Sequence, residues 1–184
     1  MSLSAQSLTY PSSLQEYAVS EQDFLRLHPE YQVLCTGIVV FNSEGKLLLV
    51  QRAVDEKAYP NFWEIPGGKV DDTDETILQA AARELKEEAG LEAIRVVRKV
   101  GQFTFSDGRP GRPAITWLKL IFEMEVRDST NVVLDPVEHQ KFLFASEDEI
   151  VKDLVGDVKL AYVSPPNKEV KLEAFRLQRE ALPS

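Results

Sequence analysis

The stretch that most constrains this chain runs from Thr76 to Ala89, Thr-Ile-Leu-Gln-Ala-Ala-Ala-Arg-Glu-Leu-Lys-Glu-Glu-Ala. It holds neither Gly nor Pro and is rich in Ala, Leu, Glu, Lys and Arg, the residues that lose least on entering a helix. Gly90 follows and ends the helix, because glycine adopts the left-handed conformation past the last turn at little cost. At the front, Asp72 and Thr73 are capping residue types, and Asp72 with Glu75 has capping-box spacing. The expected start is therefore Asp72 to Glu75.

At about 100° per residue, Leu78, Ala81, Ala82, Leu85 and Ala89 share one face, which is expected to pack on a sheet. Glu84, Glu87 and Glu88 fall on the flank beside it. Like charges three and four apart repel on a helix surface, so a cation would relieve them. Three carboxylates on one helix suit a hard divalent ion such as Mg²⁺, which prefers oxygen ligands and retains waters. Ala80 is small and leaves room beside them. Alone, Arg-Glu-Leu-Lys-Glu-Glu is the pattern of a solvated helix face; the wider pattern decides the reading.

That wider pattern resembles the signature of the Nudix hydrolases, a glycine followed after five residues by Glu and, seven later, by Arg-Glu-apolar-any-Glu-Glu-any-Gly-apolar. Arg83, Glu84, Leu85, Glu87, Glu88, Gly90 and Leu91 fill the second half. The departure is at the front: six residues separate Gly68 from Glu75, and Asp74 occupies the spacing counted from the glycine. The extra residue is expected to be absorbed by the loop, so that deleting Asp74 leaves folding intact. The strand pair ending in Gln51-Arg52, and the lead-in Phe62-Trp63-Glu64-Ile65-Pro66-Gly67-Gly68, are also similar to the opening of Nudix domains.

The resemblance spans roughly residues 32 to 155 and implies an α/β fold, the Nudix-type α/β/α sandwich with a mixed β-sheet. It implies Mg²⁺-dependent (or Mn²⁺-dependent) hydrolysis of a phosphoanhydride in a nucleoside diphosphate linked to another moiety, a nucleoside triphosphate or dinucleoside polyphosphate included. Glu84, Glu87 and Glu88 are then the metal ligands, and Glu87 or Glu88 helps to orient or deprotonate the water. Arg83 and Glu75 support those carboxylates, and Glu138 is the candidate late-loop Glu. Gly67 and Gly68 let backbone amides approach a phosphate or the metal cluster. Arg52 belongs with them as a nucleotide contact, and Trp63 is a stacking surface for a base or, as for most strand tryptophans, a core residue. His139 is read as fixing its loop, although imidazole also serves as a base.

With 184 residues the chain suits one domain with a real core. Its formal charge of -9 and isoelectric point near 4.8 argue against a partner that is a nucleic-acid polymer. A small phosphate ester held through metal remains compatible. No stretch approaches the ~20 apolar residues that span a bilayer, and no leader pattern opens the chain, so the expected location is the cytoplasm. The one cysteine, Cys35, lies in an apolar run and reads as a buried hydrophobe.

Residues 1–31 read as an N-terminal extension with a short helix, Ser20 to Leu27, capped by Ser20 and stopped by Pro29. Residues 32–164 form the catalytic domain, and 165–184 a C-terminal helix from about Lys168, with Val170, Ala174, Leu177 and Ala181 on its apolar stripe. Within the domain, Tyr31 to Phe41 is a central strand, and Lys46 to Gln51 its hairpin return. Ile115 to Val126 is another strand, and Ser146 with Glu149 caps a helix through Leu154. Arg109 and Arg112, in the loop from Ser106 to Pro113, are either solvated or positioned to grip a phosphate. The oligomeric state is open, a homodimer included.

Two other classes share the pattern. A Nudix-fold nucleotide-binding module without catalysis would be expected to lack some carboxylates, and all three are present. An isoprenoid-diphosphate isomerase of the same fold needs a catalytic cysteine and metal-binding histidines, for which one Cys and two His are a poor supply.

Overall fold

The computed structural model describes residues 8–108, 111 and 113–181. Arg109 and Arg112 lie outside the described residues. Strand β1 (Val33–Val39) pairs in parallel with β5 (Ile115–Val126), which pairs antiparallel with β4 (Ala93–Asp107). A second sheet has β2 (Leu47–Arg52) between β3 (Trp63–Glu64) and β6 (His139–Ala145). The turn at Asn42–Gly45 forms as expected, with the Asn42 N–H donating to the Lys46 carbonyl at 2.9 Å. The hairpin does not extend: β1 and β2 touch only at bridges such as Leu48 N–H to the Val40 carbonyl, and then diverge into different sheets. Both strands are apolar on both faces, so each can be covered by partners other than its sequence neighbour.

Strand alternation divides the interior into two cores. Leu34, Ile38, Leu48, Leu118, Leu120 and Phe122 face helix α2 (Ile77–Ala89) and pack on Ile77, Leu78, Ala81 and Leu85. Val39, Leu47, Leu49 and Ile121 face the other way, onto Val170, Ala174 and Phe175 of α4 (Pro165–Ala181). The mixed sheet between helical layers is the arrangement expected. Each fully buried Leu or Ile contributes ~1.5–3 kcal/mol of transfer free energy, so the two faces of β2 and β5 hold much of the stability.

Helix α2 begins later than the Asp72–Glu75 expectation. Thr76 is its N-cap, accepting from the Gln79 N–H at 3.1 Å, and Gly90 closes it at φ 70°. Asp72 and Thr73, the capping types that precede it, stay in the loop before the helix. The short helix α1 (Glu21–Leu27) is capped by Ser20 as expected. Ahead of it a 3-10 turn, Ser12–Tyr17, lays Leu14 and Tyr17 into the α2-side core. Helix α3 (Glu147–Lys152) carries the Ser146–Glu149 capping box. Helix α4 starts three residues before Lys168, since Pro165 is preorganised for a first helical position. Among the described residues no helix is long and apolar enough to cross a membrane.

Candidate active site

The segment Pro66–Val70 is an irregular edge on β1. The Thr36 N–H donates to the Gly68 carbonyl at 2.8 Å, Ile38 N–H to Pro66 at 2.7 Å, and Val70 N–H to Leu34 at 3.1 Å. Gly67 is required here. Its φ is +146°, and a Cβ would stand 2.2 Å from the Thr36 carbonyl oxygen. The turn aims the Gly67 N–H at Glu88 Oε2, 2.7 Å away. At Gly68 a Cβ would meet the Glu84 carboxylate at 2.6 Å, so the second glycine is the floor on which that carboxylate rests.

The three helix carboxylates differ in setting. Glu88 is 5% exposed and turned inward onto Gly67. Burial pushes its carboxyl up to about 9; the Gly67 N–H opposes this, while Glu64, Glu138 and Glu84 reinforce it. Glu84 is also raised, by burial first, against the charge and hydrogen bond of Arg83, with Glu87 and Glu138 adding repulsion. Glu87 has a side chain 57% exposed and is held by Arg83 Nη1 at 2.7 Å. Among the described residues no three His, Cys, Asp or Glu side chains are grouped so as to hold a metal ion. Arg83 draws Glu84 and Glu87 toward itself while Glu88 faces the backbone.

Arg83 is the hub. Besides Glu84 and Glu87 it binds Asp74 with two prongs, Nε to Oδ1 at 2.9 Å and Nη2 to Oδ2 at 2.8 Å, and donates to the Lys69 carbonyl at 3.1 Å. Glu75, expected in this supporting role, instead accepts from Gln79 at the exposed start of the helix. The extra residue thus lies between Asp74 and the helix, and the spacing counted from Gly68 was the signal that identifies Asp74.

Beyond the carboxylates, Arg52 donates to Glu64 and Glu56, both at 2.9 Å, and to the Ala58 carbonyl at 2.8 Å. His139 is buried and bonds Glu64 through Nε2 at 3.1 Å, in the fixing role expected of it. Glu64, which the sequence did not single out, joins these groups. Burial pulls its carboxyl up, but the His139 bond, the charge of Lys119 and Arg52 together hold it below the usual carboxylate range. Glu138 is exposed, its carbonyl holding the Ala53 N–H at 2.8 Å, and its charge reaches Glu84 and Glu88. Trp63 is 2% exposed in the α4-side core, so it is unable to stack on a base; inward alternation on β3 decides this.

A cleft of about 440 Å³ opens beside Arg52 and Glu64, between Phe103 and Phe105 of β4, Lys119 of β5, and Asn167 of α4. This is a size that holds small ligands.

A family model described as NUDIX domain matches residues 32–164. The chain is 32% identical over 145 residues to the CTP pyrophosphohydrolase of Escherichia coli (strain K12), covering 79% of this chain and 93% of that protein. It is 35% identical over 77 residues to an RNA pyrophosphohydrolase of Bartonella quintana (strain Toulouse), covering 40% of this chain and 44% of that protein. The matches to the first curated relatives thus span under half of those proteins' lengths. The crystal structure of the MutT protein from Methanosarcina mazei Go1 superposes with a TM-score of 0.61 at 23% identity, over 80% of this chain and 95% of that one. With the family model covering well over half of the sequence and the glycine turn, Arg83 and the helix glutamates set together in space, this chain belongs to the Nudix family.

Proposed function

We propose that this protein is a Mg²⁺-dependent pyrophosphohydrolase that cleaves a phosphoanhydride in a nucleoside diphosphate linked to another moiety, a nucleoside triphosphate being the first class to test. The observation that carries this is the placing of two carboxylates, the buried Glu88 and the half-buried Glu84, against the Gly67–Gly68 turn. Burial, with repulsion among neighbouring carboxylates, raises the proton affinity of both, and a cation between them would oppose both effects. A hard divalent cation fits such a donor set. Glu84 and Glu88 would hold it, with Glu87 at the exposed rim, and Mn²⁺ shares the preference for oxygen. When bound, such an ion neutralises phosphoryl charge and lowers the pKa of water.

The remaining work falls to the chain. Arg83 holds Glu84 and Glu87 in place and is itself fixed by Asp74. Arg52, oriented by Glu64 and Glu56, offers a guanidinium at the cleft mouth to a phosphate. Glu138, exposed at the rim of the acidic group, is a carboxylate that can accept a proton from the attacking water. Relatives named CTP pyrophosphohydrolase and RNA pyrophosphohydrolase support this reading of the reaction class. The acidic charge of the chain favours the small nucleotide.

Phosphorus NMR of nucleoside triphosphates, dinucleoside polyphosphates, ADP-ribose and coenzyme A with the protein and Mg²⁺ tests the reading. Metal-dependent release of a nucleoside monophosphate product supports it. Binding of nucleotide with no turnover of any compound supports the non-catalytic binding module instead.

A further inference from the structure

One lysine lines the cleft, and a second, fully buried, lies within reach of its charge. Lys119 lines it from β5, beside Cys35 of β1, its register partner. Among the described residues its ammonium has no hydrogen-bond or ion-pair partner. Its charge is nevertheless felt at Cys35, Glu64 and Lys171. Lys171 comes from the apolar face of α4, where a periodic stripe calls for a hydrophobe, and is 0% exposed. Its Nζ donates to the Asn167 carbonyl at 2.6 Å and lies 4.7 Å from the centre of the Tyr162 ring, with no carboxylate in contact. Glu64, the one carboxylate on the cleft wall among the described residues, is already bound by Arg52 and His139.

The rest of the cleft suits a flat group. Phe103 and Phe105 line it, and Phe105 is stacked on Trp117 with centroids 5.5 Å apart. The cleft therefore combines aromatic walls with one ammonium, that of Lys119, for which the described residues supply no acceptor. A lysine ammonium has three N–H donors and no acceptor lone pair. It attracts a carbonyl oxygen and repels an amino group turned toward it.

We propose that Lys119, backed by Lys171, is a specificity-determining residue that selects nucleotides whose base presents a keto oxygen, guanine and uracil, over those that present an amino group there, adenine and cytosine. This rests on the reading of the cleft as the seat of a nucleotide. An oxygen placed at Lys119 receives a charge-assisted hydrogen bond and relieves the repulsion between the two lysines. Burial, with the charge of Lys119 adding to it, already pulls Lys171 down to about 7, so an acceptor there has a shortage of negative charge to supply.

The test is calorimetric binding of the α,β-methylene analogues of GTP, ATP, UTP and CTP in Mg²⁺, followed by hydrolysis of the four natural triphosphates. The native protein should bind the guanine and uracil analogues on the order of tenfold more tightly than the adenine and cytosine ones. Lys119→Met should remove that preference by weakening the keto pair alone, and Lys119→Arg should restore it. Lys171→Met, close to isosteric in its buried place, should reduce the preference without loss of the folded circular-dichroism signal. Equal affinity for all four in the native protein, or an undiminished preference in a folded Lys119→Met, overturns the proposal. So does failure of every analogue to bind. Keto-selective binding with no turnover refutes hydrolysis and keeps the subsite, whereas equal kcat/KM for the four refutes the subsite and keeps hydrolysis.

Discussion

Arg83 grips Asp74 through two parallel hydrogen bonds, 2.9 and 2.8 Å, across nine residues of chain, and the side chain of Asp74 is only 7% exposed. The pair closes the loop before α2 onto the helix and holds the guanidinium where it reaches Glu84 and Glu87. The Arg83 hydrogen bonds hold the Asp74 carboxyl below its usual range despite partial burial.

Asp74→Ala should cost ~2 kcal/mol in urea unfolding and lower turnover by ~10-fold or more, because Arg83 then loses its anchor. Glu75→Ala, which removes an exposed partner of Gln79, should stay within ~0.5 kcal/mol. The contribution of Asp74 is present above its unfolded pKa of 3.8 and fades as pH falls through the depressed folded value. The difference between native and Asp74→Ala melting temperatures should therefore shrink below about pH 4.

Glu88→Gln should reduce metal-dependent turnover by ~100-fold while stabilising the metal-free fold by ~1 kcal/mol. The amide oxygen still accepts from the Gly67 N–H, and the cost of burying a carboxyl that the unfolded chain ionises near 4.5 and the fold holds protonated up to about 9 is removed. Parallel thermal melts in chelator and turnover assays in Mg²⁺ check both halves. A loss of stability together with activity would show that Glu88 acts as a structural anchor only.

Gly67→Ala should destabilise by at least ~3 kcal/mol, read as a lower urea midpoint. The backbone there has φ +146°, and the added methyl would lie 2.2 Å from the Thr36 oxygen.

Lys171→Met should raise stability, with a gain that depends on pH in a stated direction. The folded lysine releases its proton near 7 and the unfolded one near 10.5. Between these values the unfolded chain holds the extra proton, so native stability rises with pH. The gain from methionine should be largest below about pH 7, on the order of 1–4 kcal/mol, and should fade toward pH 10.5. Chemical denaturation of both proteins at pH 6 and pH 9.5 measures it.

Local pattern determined much of this protein. A run free of Gly and Pro with an apolar stripe makes α2 and its Gly90 stop legible, and capping chemistry makes Ser20 and Ser146 legible, because both depend on residues within a turn or two of each other. The identities of Arg83, Glu84, Glu87 and Glu88 were written in the same short window. Tertiary structure decided what depends on distant partners. The Arg83 guanidinium took Asp74 and not Glu75 as its partner, and the cap fell to Thr76. Packing turned Glu88 inward and left Glu87 in solvent, although both lie on one helix flank. Core alternation hid Trp63, and the meeting of β1, β4, β5 and α4 put Lys119 on a cleft wall, its charge reaching the buried Lys171, in a way that spacing along the chain does not encode.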